Sequence, residues 1–109
     1  MIINVASTIG KVPAPAQANY CASKAAVIAF SSSLRSEVED KGIIVKTFIP
    51  GVTSTDMMNS FQIETTQVMS PEKVAIHMIK AINSQKPEYI CGSGNRRLIL
   101  LSRFFPEQA

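Results

Sequence analysis

The sequence predicts an α/β fold built on a parallel sheet. Three observations carry that expectation. Short apolar, β-branched runs alternate with longer segments of helical composition. The run Ile43 to Ile49 is apolar almost throughout, the pattern of a strand buried on both faces. Proline and glycine punctuate the joins, at Pro13, Pro15, Gly42, Pro50-Gly51, Pro87 and Gly92.

The elements follow in order. Residues 1–5 read as a strand, and a buried strand with no lead-in implies that the natural domain starts upstream of Met1. Residues 6–15 carry Gly10, Pro13 and Pro15 and read as loop. From about Ala16 to Asp40 the chain is rich in Ala and Ser and free of Pro and Gly, so it is the longest helix, stopped by Gly42. Ala22, Ala25, Ala26 and Ala29 on it would let another helix approach closely. Residues 43–49 form the second strand, ended by Pro50-Gly51. Residues 52–69 read as a loop with a weak helical piece. Ser70-Pro71-Glu72 offers a capping hydroxyl, a proline in the first turn and an acid near the helix dipole. Ala75, Met78, Ile79 and Ile82 repeat at helical spacing, which carries that helix to about Ser84. Residues 88–91 form a third short strand, and residues 95–105 a last, basic, amphipathic segment. Three parallel strands in chain order, with the long helix as first crossover, are expected.

Composition narrows the function classes. A chain of 109 residues holds at most one domain, and 46% hydrophobic with 17% charged residues is ordinary globular usage. Of the net charge of +3, +2 falls on residues 93–109, where Arg96, Arg97 and Arg103 stand against Glu107, so a slightly basic tail rather than a basic face is present and nothing argues for nucleic acid. Two cysteines and one histidine make neither a disulfide scaffold nor a good zinc set. No basic region precedes the first apolar run, so neither a secretory signal nor an extracellular location is expected, and a cytoplasmic one is.

Chemistry gathers at one place. Tyr20 and Lys24 stand four apart at the start of the long helix, on one face. A fixed ammonium near a phenol favours the phenolate, which makes such a pair a candidate acid/base. The pair alone also arises by chance on many helices. Ser7, thirteen residues before Tyr20, lies just past the first strand, and Pro50-Gly51 ends the second at the same rim, followed by Thr53 and Thr55. In open parallel sheets ligands bind beyond the carboxyl ends of strands.

Asn4-Val5-Ala6-Ser7, then Gly10, then Tyr20-Cys21-Ala22-Ser23-Lys24-Ala25-Ala26, then Pro50-Gly51-Val52 with Thr55 and Met57, resembles the short-chain dehydrogenase/reductase family. The resemblance runs through nearly all of the chain and corresponds to the C-terminal half of the family's domain. It implies the C-terminal part of a Rossmann-like, doubly wound parallel sheet: three strands with crossover helices. It also implies hydride transfer between NAD or NADP and a small-molecule carbonyl or alcohol substrate. By the same resemblance Ser7 orients the substrate oxygen and Tyr20 is the acid/base. Lys24 makes Tyr20 a stronger acid and holds the nicotinamide ribose. Pro50, Gly51, Val52 and Thr55 contact the nicotinamide end. A homo-oligomer is implied for the full-length parent, with the long helix in its interface. The family's glycine-rich turn, its Asn-Asn-Ala-Gly segment and its catalytic helix asparagine have no counterpart in these residues. The chain is therefore expected to be inactive alone. The competing expectation is a non-enzymatic fragment or an interaction module pairing through its long helix.

Other residues have plainer readings. Asn4 is structural. Cys21 and Cys91 are buried small hydrophobes, and His77 is a surface residue off its helix's apolar stripe. Ser31-Ser32-Ser33 supplies small packing contacts, and Gly92-Ser93-Gly94 is a turn. The stretch holding Met57, Met58, Phe61, Ile63, Val68 and Met69 reads as a lid over an apolar substrate, or as packing on the sheet rim. The segment from Arg96 to Phe105 suits a membrane surface, a partner or the domain itself.

Overall fold

The computed structural model describes residues 1–13, 15–51 and 69–104. Strands β1 (Ile2–Val5), β2 (Val45–Ile49) and β3 (Glu88–Ile90) form one sheet in the order β1-β2-β3, and both pairings are parallel. Helix α1 (Ala18–Val38) connects the first two strands, α2 (Pro71–Asn83) precedes the third, and α3 (Ser93–Phe104) follows it. The expected order and parallel pairing are both present.

Side-chain alternation places helices on both faces of the sheet. Ile3 pairs with Lys46, Val5 with Phe48, and Phe48 in turn with Tyr89, so these residues share a face. On that face Phe48, Ala81 of α2 and Cys91 form the buried centre, packed by Ile3, Met69, Val74, Met78 and Tyr89. The Phe48 and Tyr89 rings stack at 6.2 Å between centroids. Asn4 and Thr47 lie on the opposite face. There Asn4 Nδ2 donates to Ser31 Oγ on α1 at 2.9 Å, which is the structural part expected of Asn4. Ser31 is fully buried, and Ser32 and Ser33 are exposed.

The boundaries have local causes. Helix α1 tightens into a 3-10 turn at Glu39–Lys41 and stops at Gly42, whose φ of +74° only glycine adopts without strain. Regular pairing in β2 starts at Val45 rather than at 43, and Ile43 and Ile44 are exposed. Ser70 caps α2, its Oγ accepting from Lys73 N at 3.2 Å, with Pro71 in the first turn. At the other end of α2 the buried Lys46 ammonium donates to the carbonyls of Ala81 (2.8 Å), Ile82 (3.3 Å) and Ser84. A strand lysine thus satisfies carbonyls that a helix end leaves open. Among the described residues, no helix is long and apolar enough to cross a membrane.

Candidate active site at the sheet rim

Because β1 and β2 are parallel, their carboxyl ends share one rim. The chain leaves β1 through Ala6, whose N–H donates to Phe48 O at 2.8 Å. It then makes a 3-10 turn, Thr8–Gly10, with Ser7 as its cap; Ser7 Oγ accepts from Ile9 N at 3.3 Å. Thr8 N donates to Pro50 O at 3.1 Å, which joins this turn to the end of β2. Gly10 presses the turn onto α1. A Cβ at Gly10 would lie 2.8 Å from the Lys24 carbonyl carbon and 2.9 Å from Ala25 N. So Ser7, Pro50 and the first turns of α1 are brought to one place by backbone contacts.

On α1, Tyr20 and Lys24 are half-buried on successive turns. The Lys24 ammonium stands 5.6 Å from the centroid of the Tyr20 ring, within cation–π range. A cavity of about 520 Å³ opens beside Tyr20, lined by Ala16, Gln17, Ala18 and Asn19 as well. Ala16, in its lining, holds a left-handed φ of +64°, a conformation that costs a non-glycine residue roughly 1–2 kcal/mol. Local strain of this kind is found at sites where chain direction matters more than stability.

Of the residues singled out from the sequence, Ser7, Pro50 and Gly51 follow the strand ends at this rim, the backbone of Lys24 meets the turn there at Gly10, and Tyr20 stands one turn earlier on α1. Val52 and Thr55 lie outside the described residues, as does the segment read as a lid up to Val68. Cys21 and Cys91 are buried, as expected. His77 departs from expectation: it is half-buried, its Nδ1 is 3.3 Å from Tyr89 Oη, and the two rings stand 6.0 Å apart. Its helix leans that side toward β3. Asn95 was missed. It is buried beside Gly51, and its Nδ2 donates to Cys91 O at 2.7 Å. The signal for it was faint, an amide just inside a helix start, where such side chains bond nearby backbone.

A parallel sheet with helices on both faces and polar side chains beyond its strand ends defines a doubly wound α/β protein. The comparisons with known proteins carry this to a family. The profile described as short chain dehydrogenase matches residues 1–66, the N-terminal part of this chain. The chain belongs to the short chain dehydrogenase family. It is 43% identical over 74 residues to the 3-oxoacyl-[acyl-carrier-protein] reductase FabG of Haemophilus influenzae, covering 68% of this chain and 27% of that protein. It is 38% identical over 103 residues to alcohol dehydrogenase 1 of Ceratitis cosyra, covering 93% of this chain and 39% of the relative. A short chain dehydrogenase from Burkholderia cenocepacia, solved in complex with NADP, shares its fold at a TM-score of 0.82 and 24% identity, over 98% of this chain and 45% of that one. The chain spans less than half the length of these proteins.

Proposed function

We propose that these residues supply the acid/base portion of an NAD- or NADP-dependent oxidoreductase that interconverts a small carbonyl compound and its alcohol. The observation that carries this reading is the Lys24 ammonium over the Tyr20 ring, beside an open cavity, on a helix whose backbone at Lys24 meets the turn that Ser7 caps. An ammonium, a phenol and a serine hydroxyl are the donors that ribose hydroxyls and a reacting carbonyl oxygen call for. The described residues therefore fit the nicotinamide-ribose end of such a cofactor: Lys24 and Tyr20 would hold the ribose and Pro50 and Gly51 would line the nicotinamide, with Val52 and Thr55 assigned to that edge by the family resemblance alone. Bound there, a nicotinamide nucleotide supplies or accepts the hydride, which no side chain can do.

The chain's own residues do the rest. Ser7 Oγ donates a hydrogen bond to the substrate oxygen and fixes its place. Tyr20 Oη gives that oxygen a proton in the reducing direction and takes it back in the oxidising one. Lys24, one turn on, holds its ammonium over the Tyr20 ring, where it is a donor for a ribose hydroxyl. General acid catalysis of this kind is worth about 10²–10⁴-fold.

In this reading the residues correspond to the C-terminal half of the family's domain and hold no dinucleotide without a glycine-rich phosphate-binding turn, which their sequence does not contain. They then act as part of a soluble, cytoplasmic, homo-oligomeric enzyme. Exposed Phe30 and the exposed Ala22, Ala25, Ala26 and Ala29 support α1 as the contact between copies. The same surface favours the second reading, a chain that pairs through α1 without catalysis.

Two measurements separate the readings. In the whole reductase polypeptide, Tyr20→Phe keeps the ring and removes the transferable proton, so NADPH-dependent carbonyl reduction falls by about 10²-fold or more while NADPH affinity changes little. Undiminished turnover in Tyr20→Phe sinks the catalytic reading. For the 109 residues alone, calorimetric titration with NADH and NADPH is expected to show no binding. Micromolar binding would show them to be a self-sufficient unit.

A further inference from the structure

The Pro50-Gly51 corner is held from two sides. On one side Pro50 O accepts from Thr8 N at 3.1 Å, in the turn that Ser7 caps. On the other side stands Asn95, in the first turn of α3 and only 8% exposed. Three links close a ring there. Cys91 N donates to Ile49 O at 3.0 Å, Asn95 Nδ2 donates to Cys91 O at 2.7 Å, and the Asn95 amide fills the space where a Cβ of Gly51, two residues past Ile49, would lie. A Cβ at Gly51 would overlap Asn95 Nδ2 and stand 2.9 Å from Cγ and 3.0 Å from Oδ1.

A leucine at 95 would fill the same space and lose no hydration in burial. A buried amide is the costlier occupant unless its hydrogen bonds direct something. What this amide directs is the turn after β3, which it ties to the end of β2.

We propose that Asn95 is a positioning residue that sets Gly51, and with it the nicotinamide-facing edge of the site, at its working distance from Ser7. The proposal rests on the oxidoreductase reading above. Asn95 touches neither substrate nor cofactor. It acts through Gly51, and the absence of a side chain at 51 serves the amide behind it.

A double-mutant cycle in the holoenzyme tests this, read by NADPH dissociation constant, kcat, KM and thermal midpoint. Gly51→Ala drives a methyl into the Asn95 amide and pushes the corner forward, so NADPH binding weakens about tenfold or more. Gly51→Ala combined with Asn95→Ala gives the methyl room and recovers affinity to within about threefold of Asn95→Ala alone. Asn95→Asp keeps the shape but turns an oxygen toward Cys91 O. It raises KM for NADPH about fivefold with kcat within about twofold, and it carries the test by itself if Gly51→Ala does not fold. A double variant that binds NADPH as weakly as Gly51→Ala overturns the proposal, because the methyl then meets the cofactor rather than Asn95. So does an Asn95→Asp enzyme that loses only thermal stability. Failure of the parent reading shows separately, as full turnover in Tyr20→Phe.

Discussion

Gly10 and Lys24 pack backbone to backbone: a Cβ on Gly10 would lie 2.8 Å from the Lys24 carbonyl carbon. The atoms in the way are helix backbone together with Ile28 Cδ1, and helix backbone cannot step aside. Gly10→Ala must therefore lift the 3-10 turn off α1, at a cost of about 1–3 kcal/mol for overpacking. Lifting the turn moves Ser7 away from Tyr20 and Lys24. The expected result in the whole enzyme is a lowered thermal midpoint and a kcat reduced about tenfold, since misplacement of about an ångström costs more than that in well-aligned sites. An unchanged melt with full turnover would mean that the contact positions nothing.

Lys46 gives the second prediction. Its ammonium serves the carbonyls of Ala81, Ile82 and Ser84 from inside the sheet. Lys46→Met keeps the stem and removes the donors, leaving the end of α2 open. Hydrogen bonds to a charged group contribute about 1.5–3 kcal/mol, and a loss of that size is expected in denaturant unfolding. Amide hydrogen exchange should locate the loss in the last turn of α2, and uniform protection across α2 in the variant would contradict it.

These two residues mark where the sequence was readable and where it was not. The strand order, the parallel pairing, Ser70 as a cap and Gly42 as a stop follow from local pattern and backbone sterics, and the chain shows them. Ser7, Tyr20 and Lys24 were legible because i, i+4 spacing and strand ends are local geometry as well. Lys46 is not legible because an apolar run hides its one charged member. Its partners lie 35 to 38 residues away. Asn95 and the half-burial of His77 depend on how α3 and α2 settle on β3, and no local pattern encodes that.

Thr47 carries a third prediction. It is fully buried on the α1 face, and among the described residues its Oγ1 has no hydrogen-bond partner. A buried hydroxyl without a partner costs about 1–3 kcal/mol. Thr47→Val replaces it with a methyl of nearly the same shape, so the variant is expected to gain about 1 kcal/mol, seen as a higher denaturant midpoint at an unchanged slope. A loss of stability would reveal a bond that Oγ1 makes in solution.

His77 sets an acid limit. Its pKa lies below the usual imidazole value, first through burial and then through the nearby charges of Lys80 and Arg96. Above pH 6.5 the ring is neutral in both folded and unfolded chains, and its contribution is complete. As pH falls below 6.5 the unfolded chain takes up a proton that the folded chain resists, so stability declines until the folded site also protonates. Protonated Nδ1 no longer accepts a bond from Tyr89 Oη, 3.3 Å away. The drop in thermal midpoint from pH 7.5 to 5.5 should therefore shrink in His77→Gln. An equal drop in both proteins would assign the acid sensitivity to other groups.

Cys91 sets an alkaline limit and reports on the core. It is fully buried in the Phe48–Ala81 cluster, and burial raises its thiol pKa from 9.0 to about 11. The thiolate is the reactive form, so at pH 8 a folded chain offers an alkylating reagent almost none. In a Cys21→Ala background, labelling of Cys91 should wait for unfolding and follow the denaturant transition seen by circular dichroism. The same shift fixes a pH dependence. Below pH 9 the neutral thiol is present in both states, and its contribution is complete. Between pH 9 and about 11 the unfolded chain loses a proton that the folded chain keeps, so stability falls across that window. Cys91→Ala should remove that part of the alkaline loss, at the cost of a small cavity beside Phe48. Rapid labelling of Cys91 at pH 8 without denaturant would show that the contact between α2 and the sheet opens readily, and that this cluster is not the last part of the fold to yield.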